Sequence, residues 1–95
     1  MPVAPTLGLV ESADEARELL DPLRNEILQL AREPTSATEI ARALALPRQK
    51  VGYHIRELEK RGLLNCVAER RRGNCVERLL QASAKHYALS PKVLG

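Results

Sequence analysis

Apolar positions recur along most of this chain at helical spacing, and along one later stretch at strand spacing. Ser12-Ala13-Asp14-Glu15 fits a capping box, with Ser12 as cap and Glu15 reaching back, and predicts a short helix through Leu19 and Leu20. Asp21-Pro22 restarts the pattern: aspartate is a good N-cap, and proline is favoured at the first helical position. Leu23, Ile27, Leu30 and Ala31, with Leu28 beside them, then line one face of a second helix that runs to about Arg32 and stops before Pro34. Ser36-Ala37-Thr38-Glu39 is another capping box, and Ile40, Ala41 and Leu44 predict a helix of about two turns. After the brief turn Ala45-Leu46-Pro47, residues 48–61 read as a longer helix. Val51, Ile55 and Leu58 form its inner face, and Gly62 is its left-handed cap.

The period then changes. Residues 63–69 are short and apolar enough for a strand, 70–74 read as a turn, and 75–81 return as a second strand. This is a β-hairpin with Arg70, Arg71 and Arg72 expected at its tip and Gly73-Asn74 able to take positive φ. His86-Tyr87-Ala88-Leu89 either extends that strand or adds a short one. Residues 1–11 hold two prolines and a glycine without a period and are expected to be a flexible lead-in. The organisation predicted is a lead-in over 1–11, one domain over 12–91 and a tail over 92–95.

Composition narrows the function. The chain has 95 residues, two Tyr, no Trp and no Phe. The core must therefore be aliphatic, and a base-stacking platform for single strands, which needs several exposed rings, is excluded. No stretch is long and apolar enough to span a membrane, the N-terminus lacks the features of a secretory signal, and two cysteines without one point to a reducing cytoplasm. The net charge of +3 hides a segregation. Residues 1–35 carry three basic and seven acidic residues, and residues 36–95 carry twelve basic and five acidic. A basic half of that kind is the footprint of a polyanion partner.

A short helix, a turn, a longer helix and a basic hairpin, in that order, read as an α+β, mainly α, winged helix-turn-helix of three to four helices plus a hairpin wing. In that arrangement the second helix of the pair enters the major groove of double-stranded DNA, and the hairpin lies along the backbone or minor groove. At about 100° per residue, Gln49, Tyr53, Arg56 and Lys60 point away from the inner face, with Gly52 on the flank and Arg48 and Lys50 beside them. Gln49 suits adenine and Arg56 guanine. Gly52 costs ~1 kcal/mol against alanine in mid-helix, which either close approach of DNA or packing on the preceding helix would explain. Ser36 and Thr38 open the preceding helix, where free N–H groups suit a phosphate as well as a simple cap. Arg70, Arg71 and Arg72 can each neutralise a phosphate or enter the minor groove. His54 either packs or touches DNA, and His86 is read as structural.

Cys66 and Cys75 flank the hairpin turn and could face each other. They are read as small half-buried apolar residues, with thiol or metal sensing as the alternative. No metal site and no cofactor are expected. There is no Gly-rich phosphate loop, nucleophile elbow or HExxH, and Glu57 and Glu59 point to different faces of their helix, so no catalysis is expected. A second alternative to the DNA reading is a protein–protein module whose basic face docks an acidic partner.

Leu20-Asp21-Pro22-Leu23-Arg24, Thr38-Glu39-Ile40-Ala41-Arg42-Ala43-Leu44 and the run from Val51 to Leu64, V-G-Y-H-I-R-E-L-E-K-R-G-L-L, resemble ArsR-type winged-helix transcriptional regulators. The wing E-R-R-R-G-N and the later Q-A-S-A-K-H-Y-A-L are similar to the subgroup with an arginine-rich wing. The likeness covers residues from about 20 to 90 and implies a DNA-reading helix carrying Gln49, Lys50, Gly52, Tyr53, His54 and Arg56. Gly52 departs from the polar residue usual there. The Cys-x-Cys metal box is missing between Thr35 and Leu44, so metal sensing through it is not implied. The resemblance further implies a homodimer and leaves room for an unidentified effector. The chain ends four residues past Pro91, too soon for a long closing helix. Dimerisation through the N-terminal helices is therefore expected, or the chain is a module of a longer protein.

Overall fold

The computed structural model describes residues 5–94. In chain order the elements are β1 (Leu7–Val10), α1 (Ala13–Leu20), α2 (Pro22–Leu30), α3 (Ala37–Leu44), α4 (Arg48–Lys60), β2 (Leu64–Arg72), β3 (Cys75–Ala82), β4 (His86–Leu89) and α5 (Pro91–Leu94). This is a winged helix-turn-helix, as the pattern predicts, with four principal helices and one hairpin.

The helix starts follow their caps. Ser12 Oγ accepts from the Glu15 N–H, and Asp21 Oδ1 from the Arg24 N–H, both at 3.0 Å. At α3 the capping box is complete: the Glu39 N–H donates to Ser36 Oγ at 3.1 Å, and the Ser36 N–H donates to Glu39 Oε1 at 3.2 Å. α3 ends on Ala45, a non-glycine residue at φ +55, and the chain turns through Leu46 and Pro47 into α4. Gly62, at φ +73, is the left-handed residue just past α4.

The core is aliphatic, and Ile27, Ile40, Val51, Leu58, Leu64, Leu80 and Val10 are its most enclosed large side chains. Each is worth about 1.5–3 kcal/mol of burial, so α4 is held to the body by its Val51, Ile55 and Leu58 stripe. The base of the wing is fixed from the other side. Thr35 and Leu80 exchange backbone hydrogen bonds of 2.9 and 2.7 Å, and the Ala82 N–H donates to Ala31 C=O at 2.8 Å. These bonds set the start of α3 directly against β3.

Four sequence expectations change. The arginines do not sit in the turn. β2 continues through Arg72, which pairs with Cys75, and the turn is the two residues Gly73-Asn74 with Gly73 at φ +62. A two-residue hairpin loop needs that positive φ, and once glycine supplies it the ladder can run to the tip. Cys66 and Cys75 do not face each other either. Cys66 lies opposite Leu80, beside a bulge between Cys66 and Ala68, and both thiols are free and exposed rather than half-buried. Six residues of strand, about 20 Å, separate their positions along the hairpin. The lead-in, finally, contains a strand. β1 pairs in parallel with β4, Leu7 opposite His86, and carries Val10 into the core at 1% exposure. Its partner is far away in sequence, so no local pattern announces it. The expected tail likewise begins inside the single turn α5, whose Val93 packs against the core. Residues 1–4 of the lead-in lie outside the described residues.

Candidate nucleic-acid interface

α4 presents the side that its wheel predicts. Val51, Ile55 and Leu58 are buried, while Arg48, Gln49, Lys50, Tyr53, Arg56 and Lys60 are exposed, Tyr53 at 50%. Gln49 and Tyr53 are both left open to solvent by the described residues. Lys60 Nζ is tied to Glu57 Oε2 at 3.0 Å, one turn back. Arg48, Lys50 and Arg56 face no carboxylate at ion-pair distance among the described residues.

Gly52 is buried, but not against α3. A Cβ placed there would lie 2.9 Å from Arg48 Nη1 and 3.5 Å from Arg56 Nη1. The side chains one turn before and one turn after therefore fold over the glycine. Neither explanation offered by sequence describes this contact directly. Gly52, Arg48 and Arg56 line one wall of a cleft of about 410 Å3 whose other walls are Ser36, Ala37 and Thr38 at the start of α3 and Glu77, Arg78 and Leu80 of β3.

Ser36 and Thr38 have different surroundings. Ser36 is 2% exposed, and its hydroxyl accepts from the Glu39 N–H at 3.1 Å. Thr38 is exposed on the first turn of α3. The Arg70 guanidinium holds the Glu39 carboxyl below the usual range, with further help from Ser36. Glu77 is also lowered, by Ser36 first and by Arg72 and Arg70. Two carboxylates of the protein itself thus stand at the start of α3, where sequence alone suggested room for a phosphate.

The three wing arginines divide in the same way. Arg70 Nη2 bridges Glu39 at 3.0 Å and Glu77 at 3.3 Å, and Arg72 Nε meets Glu77 at 3.0 Å. Arg71 is exposed and pairs with no carboxylate among the described residues. Arg78 of β3 is ion-paired with Glu59 of α4, which fastens wing to helix.

His54 is half-buried on the flank of α4, and its Nδ1 accepts from Arg24 Nε of α2 at 3.1 Å. Burial first, then the Arg24 charge, lowers its pKa. Arg24 is itself paired with Glu18, which is 8% exposed. Sequence reading gave no role to Arg24, Glu18, Glu77 and Arg78, and weighed Glu59 only as half of an acid pair, because each matters through a partner on another element. The only local signal was the placing of Arg24 three residues after the capping Asp21.

With this geometry in view, a family model described as a helix-turn-helix domain matches residues 19–67, just over half of the chain. The chain belongs to that family. No curated protein matches it. Among solved structures it is similar to the homodimeric winged helix-turn-helix DNA-binding domain (fragment 1-100) of a possible ArsR-family transcriptional regulator from Mycobacterium bovis. The TM-score is 0.58 at 21% identity, covering 74% of this chain and 61% of that one. The likeness is one of fold, the winged helix-turn-helix. No helix among the described residues is long and apolar enough to cross a membrane.

Proposed function

We propose that the protein is a sequence-specific, double-stranded-DNA-binding transcriptional regulator, a repressor, acting without catalysis in the cytoplasm and as a homodimer. α4 lies in the major groove, where Gln49, Tyr53 and Arg56 meet base edges and Arg48 and Lys50 meet phosphates. Arg71 reaches the backbone or adjacent minor groove from the wing, positioned by Arg70 and Arg72. Thr38, exposed on the first turn of α3, flanks the same surface, while Ser36 serves as the cap.

The observation that carries this reading is the outer side of α4. Arg48, Lys50 and Arg56 on that side lack carboxylate partners among the described residues, Gln49 and Tyr53 are exposed, and a buried stripe anchors its back. The homodimeric state of the Mycobacterium bovis domain supports a two-fold assembly, and two-fold proteins read palindromic sites.

Selection of bound duplexes from a random library tests the proposal. A palindromic consensus with half-sites one or more helical turns apart is expected. Failure to enrich any sequence, together with no gel shift of mixed duplexes even at ~50 mM salt, would defeat it in favour of a basic face that docks a protein.

A further inference from the structure

We propose that Arg24, on α2, is a positioning residue for the DNA-reading helix: it holds His54 in the neutral form protonated at Nε2 and seats the neighbouring Tyr53 ring. This rests on the function proposed above and adds a residue outside α4 to the determinants of specificity.

Arginine is a donor through all five N–H groups and accepts nothing. When Arg24 Nε donates to His54 Nδ1 at 3.1 Å, Nδ1 must offer a lone pair, so the ring proton sits on Nε2. Protonating the ring would set N–H against N–H and one positive charge against another. The same guanidinium lies 6.0 Å from the centre of the Tyr53 ring. The Tyr53 and His54 rings meet edge-on, 5.2 Å apart at 71°. Two consecutive side chains of α4 therefore lean on one residue of α2, and one of them is central to the exposed face.

Arg24 can serve as such a post because it is itself fixed. Its backbone N–H donates to Asp21 Oδ1, and its guanidinium is paired with the buried Glu18 of α1. Glu18 also takes Arg61, just past α4, at 3.8 Å. The charged and titratable groups facing His54 are Arg24 and Asp21 from the α2 side, Glu18 from α1, and Lys50 and Tyr53 from α4 itself. Glu18 and Asp21 favour a proton on the ring, whereas burial, Arg24 and Lys50 oppose it and prevail. Loss of the Arg24 bond would free both rings to rotate, which costs discrimination between sequences more than it costs attraction to phosphates.

The test reads the ring directly. Long-range proton–nitrogen NMR on the full chain should show His54 with an unprotonated Nδ1 and a protonated Nε2, taking up a second proton only below the ordinary histidine value of about 6.5. The ratio of affinities for the selected site over random duplex should stay constant above that transition. It should fall about tenfold once the ring is charged, the equivalent of one charge-assisted hydrogen bond. Arg24→Lys keeps a cation beside Glu18 but removes the Nε–H. It should give mixed tautomers, a His54 transition nearer the ordinary value and the lower ratio at every pH, at nearly unchanged melting temperature. His54→Asn places an amide oxygen where Nδ1 was and should abolish the pH step in the ratio. A His54 protonated at Nδ1, or an Arg24→Lys variant with the parent's pH profile, overturns the role of Arg24 while leaving DNA binding intact. The expected tautomer in a chain that binds no duplex overturns the DNA-reading function, and with it the link from Arg24 to specificity.

Discussion

Gly52 shows how one position can trade stability for access. A glycine in mid-helix gives up ~1 kcal/mol relative to alanine, and the atom a new Cβ would crowd is the far end of a flexible arginine. Gly52→Ala should therefore stabilise the fold by about 0.5–1 kcal/mol, a rise of a few degrees in Tm by calorimetry. It should weaken DNA binding as the Arg48 guanidinium is pushed aside. Ala45 is the complementary case, since its φ of +55 costs an L-residue roughly 1–2 kcal/mol. Ala45→Gly should shift the urea midpoint upward, provided the turn keeps its shape. On the reading face, Arg56→Ala should cost on the order of 1–3 kcal/mol on the selected site and much less on random duplex. Equal losses on both would reduce Arg56 to a backbone contact.

The wing is an element whose arginines have separate duties. Arg70 joins β2 to α3 through Glu39 and to β3 through Glu77. Its removal leaves two carboxylates near Ser36 without their common cation, and Arg70→Ala should lower the melting temperature measurably. Arg71→Ala should leave stability within about 0.5 kcal/mol yet reduce the slope of log affinity against log salt by about one. If the two variants behave alike in both assays, this division fails. The acid limb of stability has the same origin. Glu39 and Glu77 both lie below the ordinary carboxylate range when folded. Their contribution is complete above the unfolded value of about 4.3 and is lost as pH falls through the depressed folded values. His54 adds loss at milder acidity, because the unfolded chain takes up its proton first, from about pH 6.5 downward. Melting curves across that range should show the milder step removed in His54→Asn.

Across the whole molecule, the acidic N-terminal third and the basic remainder meet in a few ties: Glu18 and Asp14 with Arg61, the latter at 3.5 Å, and Glu33 with Lys85 at 3.4 Å. These orient the helices behind α4 and leave the cations ahead of it for a polyanion. β1 closes the body from behind. Because Val10 is buried and the β1–β4 ladder ties it to the C-terminal strand, Val10→Ala should cost about 1–3 kcal/mol in urea unfolding. A loose lead-in would show no such loss.

Helix positions, their caps, the inner and outer sides of α4, and the existence of a hairpin were all legible in the sequence. Each is set by neighbours three or four residues apart or by a turn residue, and such short-range preferences are written locally. The place of Arg70–Arg72 on a ladder and the separation of Cys66 from Cys75 follow from the two-residue Gly73-Asn74 turn, a local signal read too widely, whereas the strand at Leu7–Val10 and the Arg24–His54 bond were decided by tertiary structure alone. Each depends on a partner brought close only by packing, and a one-dimensional pattern carries the chemistry of a side chain but not the identity of the group it will meet.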